Sequence, residues 1–213
     1  MSISSAVTIN VVELDKAIQD APNWAVLEET LYELCRRYPD HTDQAGSNAK
    51  LWLIGRGLAT GVERQIKSIG GQGSAMQTLC EYIYQNRRQV DAIIGRLREV
   101  EEPLDERKLI TIVREHGSFC RLLSPVVNGK LVRSFAAKYL HCHCPSVPIY
   151  DNEARKKLGM VCLWEDAFQV FALPKEGDEN YYWFALRFLP FYRAARQLRP
   201  GVTVRLLDLY LLW

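Results

Sequence analysis

Apolar side chains recur every three or four residues along almost the whole chain, and this spacing constrains the fold more than any other feature. It is clear in segments 24–34 and 109–113. The only stretch that resembles a strand, Val202–Leu206, is short and continues into an apolar carboxyl-terminal segment, which favours a last helix. The pattern therefore predicts an all-α fold made of many helices.

Proline and glycine residues fall between the periodic segments and so predict where helices end. Asp105 and Asp178 each precede a periodic segment, and we expect both to cap a helix. The predicted helices are residues 10–20, 22–38, 45–69, 73–86, 88–100, 105–123, 129–141, 151–159, 164–171, 179–198 and 203–212.

The chain of 213 residues is long enough to bury a substantial core, and no spacer rich in Ser, Gly or Pro divides it. We therefore expect a single domain spanning 1–213. No apolar run reaches the roughly 18–20 residues needed to cross a bilayer, so we expect a soluble cytoplasmic protein without a membrane partner. The 6 cysteines are too sparse for a disulfide scaffold and are expected to be reduced, buried thiols.

The net charge of +2 conceals an asymmetry along the chain. Residues 1–49 are acidic on balance, whereas residues 50–158 are basic. A basic central region is compatible with phosphate binding, but a modest excess of this kind also arises on an ordinary solvated surface.

The segment 128–155 combines a glycine turn, a short apolar helix, a loop bounded by prolines, and an acid that opens the next helix. The turn at Gly129 would let backbone N–H groups approach a phosphate, while Lys130, Arg133 and Ser134 would add charge or a hydroxyl beside it. Pro148 and the residues after it would fix Asp151 at a helix start. An acid in that position is also the usual N-cap, and capping does not exclude catalysis.

This arrangement resembles the helix-hairpin-helix superfamily of DNA base-excision glycosylases. Gly129 matches the first glycine of the family's hairpin, which grips backbone phosphate, and Asp151 matches the catalytic aspartate after the loop. The likeness covers about thirty residues. The chain is also similar in size and arrangement to bacterial anti-phage glycosylases that excise glucosylated hydroxymethylcytosine from phage DNA.

Two positions depart from the family pattern. Leu131 replaces the second hairpin glycine, and Arg133 stands eighteen residues before Asp151, where family members that also cleave the strand have lysine. A guanidinium stays protonated and does not form a Schiff base. Lys138 lies roughly 140° further around the helix and is expected to face elsewhere. The resemblance thus implies a monofunctional glycosylase that leaves an abasic site, without lyase activity.

A second group of residues follows one stripe of the predicted helix 45–69. It comprises Asn48, Trp52, Arg56, Thr60 and Arg64. One interpretation is the wall of a base pocket, with Trp52 stacking on a flipped base, Asn48 or Arg56 at its edge, and Glu63 as a second acid. The other is a solvated helix face on which Arg56 and Glu63 form ion pairs.

The cluster His141–Cys144 contains the donor types that zinc prefers, but its spacing is not that of a structural zinc site. We predict no metal and no cofactor, and expect buried thiols and hydrogen-bonded histidines instead. Cys120 with His116 has no identifiable third group that would make it a catalytic thiol pair.

The sequence thus favours a monofunctional glycosylase acting on double-stranded DNA, in which a base flips out of the duplex, with phage DNA carrying modified bases as one target. We expect a monomer. Two alternatives remain: a DNA-binding module without catalysis, and a helical interaction protein in which Asp151 only caps a helix.

Overall fold

The computed structural model of the chain describes residues 7–19, 25–66, 74–163 and 171–212. The helices in these ranges are α1 Val11–Gln19, α2 Ala25–Arg37, α3 Gln44–Trp52, α4 Ala75–Gln85, α5 Arg87–Arg98, α6 Glu106–Leu123, α7 Arg133–His143, α8 Asn152–Val161, α9 Glu179–Leu198 and α10 Val204–Leu212. Within them, the one β-type contact is an isolated bridge between Val7 and Cys162. The all-α prediction is confirmed, including a helix rather than a strand at 204–212.

Helix α7 lies at the centre of the packing. Every residue of 135–143 is buried, and α7 contacts α2, α5 and α6. Such a helix has no solvated face, which explains why its apolar pattern is weak in the sequence. No helix in the described ranges has the length and apolar character required to cross a membrane.

Aspartates cap the helices that begin near the site described below. Asp151 accepts a hydrogen bond from Glu153 N at 3.0 Å, and Asp178 accepts one from Tyr181 N at 2.9 Å. Asp105 caps α6 in the same way through Lys108 N at 2.9 Å. These caps satisfy backbone N–H groups that the first turn of a helix leaves without partners.

The prediction of one helix over 45–69 is wrong. Helix α3 ends at Trp52, a π-helical turn covers Leu53–Gly57, and a 3-10 turn covers Val62–Gln65. Ala59 and Gly61 between the two turns have φ values of 49° and 65°, and left-handed backbone cannot continue a right-handed helix. Residues 67–69 of this prediction, and residues 164–170 of the predicted helix 164–171, lie outside the described residues.

The helix predicted from residue 129 begins four residues later, at Arg133. The connection from α6 is a turn in which both Asn128 and Gly129 have positive φ values, 57° and 72°. Helices α6 and α7 are thus joined by a tight turn with a glycine in the expected place. The helix-hairpin-helix element itself stays a prediction.

Candidate functional site

The first turns of α7, α8 and α9 border one open cavity of about 470 Å³. We call it the trough. Each helix start carries a partial positive charge, and three of them directed at the same space favour an anion there. The residues that line the trough are Thr60, Gly61, Val62, Arg64, Gln65, Lys130, Leu131, Val132, Arg133, Ser134, Phe135, Tyr150, Asn152, Arg155 and Asn180.

The lining of the trough contains four cations and no carboxylate. Arg64, Lys130 and Arg155 are exposed, and none of them takes part in an ion pair within the described part of the chain. Lys130 Nζ donates to the amide oxygen of Gln65 at 2.7 Å, and Arg155 donates to the Tyr150 hydroxyl at 3.0 Å. Uncharged acceptors orient these side chains without neutralising them, so their charge remains available to a phosphate.

The glycine turn lies at one edge of the trough. Asn128 Nδ2 donates to Gln65 O at 3.0 Å, which ties the turn to the 3-10 turn Val62–Gln65. A Cβ added at Gly129 would meet nothing within 4 Å, so a side chain would not clash with the protein there. Glycine is favoured at this position because the backbone is left-handed.

Asp151 lies between two residues that line the trough, Tyr150 and Asn152, but does not itself line it. Its side chain is 21% exposed. Oδ1 accepts the capping hydrogen bond from Glu153 N, and Oδ2 accepts a hydrogen bond from Lys138 Nζ at 2.8 Å. Burial raises the pKa of the carboxyl, but Lys138 and the backbone N–H groups outweigh it and lower the pKa below its usual value.

Lys138 faces elsewhere than Arg133, as expected, but it contacts Asp151, which the sequence did not predict. Its ammonium group bridges the Leu58 carbonyl oxygen, at 2.9 Å, and the Asp151 carboxylate. Lys138 therefore holds Asp151 against the backbone between the π-helical turn and Ala59. The rotation that carries Lys138 away from Arg133 is the one that brings it to Asp151.

Arg133 is engaged elsewhere, by Asp178. Its Nε and Nη2 donate to the two carboxylate oxygens at 2.6 and 2.9 Å, and the Asp178 side chain is only 4% exposed. Burial raises the pKa of Asp178, but the Arg133 guanidinium and Tyr181 N lower it overall. Arg133 lines the trough with its charge largely neutralised, so its main role is to join α7 to the start of α9.

A second cavity, of about 590 Å³, shares Tyr150, Arg155 and Asn180 with the trough. We call it the aromatic pocket, since Trp183 and Phe184 also line it, with Trp183 43% exposed. Its remaining lining residues are Lys156, Leu158 and Arg187. Tyr150 and Phe184 are buried, so the exposed ring of Trp183, beside Arg155 and Lys156, is the surface on which a nucleobase can stack.

The four residues expected to form the base pocket, Asn48, Trp52, Arg56 and Glu63, border neither cavity, although Thr60 and Arg64 of the same stripe line the trough. Arg56 pairs with Glu63 at 2.7 Å and lies over the Trp52 ring at 4.2 Å from its centroid, as the solvated-face interpretation expects. Asn48 Oδ1 is buried without a hydrogen-bond partner in the described part of the chain.

The histidines and cysteines behave largely as expected. All 6 cysteines are buried, which agrees with the expectation for the thiols. Among the described residues, no three metal-binding side chains lie together. His141 Nδ1 lies 2.8 Å from Val147 O, and its other ring nitrogen contacts the Tyr32 hydroxyl. His143 differs, because neither of its ring nitrogens has a hydrogen-bond partner in the described residues.

Sequence analysis missed Arg155, Asn180 and Lys138 as members of this region. Arg155 had a local signal, since it lies one helical turn after Asp151 and so on the same side of α8. Asn180 and Lys138 had none, because their positions depend on contacts between separate helices. Comparison of the chain with protein-family models, with curated proteins and with solved structures finds no match.

Proposed function

We propose that this protein is a monofunctional DNA glycosylase with Asp151 as its catalytic carboxylate. The observation that carries the proposal is a partly exposed, ionised aspartate beside a cavity lined by cations and three helix starts. In this proposal the trough holds the phosphates on either side of the target nucleotide, and the flipped base enters the aromatic pocket.

In the proposed reaction, the negative charge of Asp151 favours cleavage of the N-glycosidic bond. Breaking the N-glycosidic bond leaves positive charge on the sugar, and a fixed carboxylate stabilises that charge or orients the attacking water. Asp151 is ionised at neutral pH, and its two hydrogen bonds fix its direction. Lys138 is a positioning residue in this scheme, since it acts through Asp151.

Two observations support release of the base without strand cleavage. Arg133 cannot form an imine and is bound to Asp178. The Lys138 ammonium group donates to the Leu58 carbonyl oxygen and to the Asp151 carboxylate, and an ammonium nitrogen has no lone pair with which to attack C1′ of the sugar. Borohydride reduction during the reaction should leave no protein–DNA cross-link. A cross-link that disappears in Lys138→Gln would show instead that the enzyme is also a lyase.

The test of catalysis is base release from duplex DNA, measured with plain cytosine and with glucosylated hydroxymethylcytosine. Asp151→Asn should lower the rate about 100-fold or more, because it keeps the shape and removes the charge. Glu153→Gln is the matched control, since Glu153 lies two residues away, is exposed and, among the described residues, forms an ion pair only with Lys156. Equal rates in wild type and Asp151→Asn would exclude Asp151 as the catalytic group.

A DNA-binding module without catalysis is the second candidate function. It is favoured by the ion pair with Lys138, which already balances the Asp151 charge. Both candidates require that Arg155→Gln and Lys130→Gln weaken DNA binding and reduce its salt dependence, with Arg107→Gln, at the far end of α6, as the control. Binding without base release from either DNA would favour this candidate over the enzyme.

A further inference from the structure

The loop between α7 and α8 is the part of the chain that leads into Asp151. Residues 146–150 of this loop are all buried. A buried loop carries backbone N–H and C=O groups that lie away from water and outside any helix, so other groups of the protein must satisfy them. Three of the partners in this loop are side chains, and each comes from a different helix.

These three side chains hold successive residues of the loop. We call them the loop anchors, and they are His141 of α7, Tyr181 of α9 and Asp208 of α10, each at most 2% exposed. His141 Nδ1 donates to the Val147 carbonyl oxygen at 2.8 Å, and the Tyr181 hydroxyl donates to the Pro148 carbonyl oxygen at 2.9 Å. Asp208 accepts from Ile149 N with both carboxylate oxygens, at 3.1 and 3.2 Å.

The loop anchors are themselves held in place by other side chains. His141 Nδ1 lies 3.4 Å from the Asp208 carboxylate, and the other ring nitrogen contacts the Tyr32 hydroxyl. The Tyr181 ring stacks on His116. Because side chains with fixed rotamers and fixed partners define the position of the groups that they bind, the loop has one preferred path into Asp151.

Capping a helix does not require such contacts, as the cap of α9 shows. Among the described residues 171–177, which lead into Asp178, none is buried. Asp178 nevertheless caps α9 by accepting a hydrogen bond from Tyr181 N. The three buried contacts before Asp151 therefore serve something other than the formation of a cap.

We propose that the loop anchors are positioning residues, which keep the Asp151 carboxylate in place beside the trough. This inference rests on the proposed function. Ile149 comes two residues before Asp151, and two residues of backbone span at most about 7 Å, so a displacement of Ile149 is transmitted to Asp151. A displacement of about 1 Å at a reacting group can lower a rate about 100-fold.

The first pair of variants removes one buried hydroxyl. Tyr181→Phe deletes the donor to the Pro148 carbonyl oxygen and keeps the ring. Tyr192→Phe is the matched control, because Tyr192 lies on the same helix, is equally buried and donates its hydroxyl to Glu102 rather than to the loop. Both changes are small enough to leave the protein folded.

Two properties of Asp151 report its position in these variants. Tyr181→Phe should raise the pKa of Asp151, measured by carboxyl NMR, by about 0.5 or more, because looser contacts with Lys138 and the backbone lower it less. The single-turnover rate of base release should fall about threefold or more. Tyr192→Phe should change neither property. DNA affinity should fall less than the rate, since Arg64 and Lys130 line the trough from other parts of the chain.

The second pair of variants replaces the Asp208 carboxyl. Asp208→Leu removes the acceptor of Ile149 N and should lower the rate about tenfold or more, whereas Asp208→Asn keeps an acceptor oxygen and should recover most of the rate. If the role of Asp208 is only structural, both variants are less stable but the folded protein keeps the wild-type rate and the wild-type pKa of Asp151.

The positioning role is overturned if Tyr181→Phe and Tyr192→Phe change the pKa of Asp151 equally, or if folded Asp208→Leu keeps the wild-type pKa and rate. Should Asp208→Leu not fold, the comparison of the two tyrosine variants decides. If the wild-type protein releases no base, the glycosylase proposal fails, and the pKa of Asp151 alone still decides whether the loop anchors position this carboxylate.

Discussion

Asp151 and Asp178 both occupy the N-cap position of a helix, but their surroundings differ. Each caps a helix, and each pairs with a cation of α7, Lys138 for one and Arg133 for the other. Asp178 is 4% exposed and both its oxygens bind one guanidinium, whereas Asp151 is 21% exposed and gives Lys138 a single oxygen. The same local motif thus serves packing at α9 and leaves an accessible charge at α8.

The largest expected effect is on stability, from Asp178→Ala. It leaves the Arg133 guanidinium partly buried without its partner and removes a cap, and should lower the free energy of unfolding by about 3–5 kcal/mol. Asp151→Ala should cost less, because Lys138, although its side chain is only 10% exposed, keeps its hydrogen bond to the Leu58 carbonyl oxygen. Chemical denaturation of both variants measures the difference. Equal losses would show that the two sites do not differ as their exposure indicates.

The free energy of unfolding should depend on pH through His116 in the same buried region. His116 stacks on Tyr181 with ring centroids 3.6 Å apart. Burial lowers the pKa of His116 to about 4. The unfolded chain takes up a proton near pH 6.5, whereas the folded chain does so only near pH 4, so stability falls as the pH drops between these values, by roughly 3 kcal/mol from this residue. An NMR titration in which the folded His116 ring protonates above pH 6 would contradict this.

Gly117 provides a second test of the difference between Asp178 and Asp151, because it packs against the loop that leads into Asp178. A Cβ at this position would come within 2.0 Å of the Glu176 carbonyl oxygen and 2.8 Å of Asp178 N. Gly117→Ala should therefore displace the Asp178 cap and cost about 1–3 kcal/mol. Gly95→Ala in α5, where a Cβ meets nothing within 4 Å, is the control and should be neutral or stabilising.

The smallest expected effect on stability comes from Asp151→Asn, about 1 kcal/mol, since asparagine can still accept the hydrogen bonds from Glu153 N and Lys138 Nζ and loses only the charge. The lowered pKa of Asp151 means that its ionised form stabilises the fold above the ordinary carboxyl pKa, and this contribution is lost as the pH falls through the folded value. The difference between wild type and Asp151→Asn should therefore begin to shrink only below about pH 4 and should vanish once the pH lies below the folded pKa of Asp151. A difference that persists after an NMR titration shows Asp151 to be protonated would show that the hydrogen bonds, not the charge, are responsible.

Most helix starts, though not that of α7, and the capping residues Asp105, Asp151 and Asp178 could be predicted from the sequence because their signals are local. Sequence analysis failed at residues 53–65, where the left-handed backbone at Ala59 has no residue-type signature. It also missed the ion pair between Arg133 and Asp178, which are 45 residues apart, and the contact between Lys138 and Asp151. Periodicity indicates which face of a helix is buried but not which helix lies opposite. It therefore does not predict which side chains of separate helices contact each other.

The proposed catalytic role of Asp151 is tested most directly by measuring two properties of Asp151→Asn together: its free energy of unfolding and its single-turnover rate of base release. An accessible catalytic charge predicts a folded variant within about 1 kcal/mol of wild type and a rate lower by about 100-fold or more. A folded variant that releases the base as fast as wild type would contradict the claim, and Asp151 would then be a helix cap like Asp178.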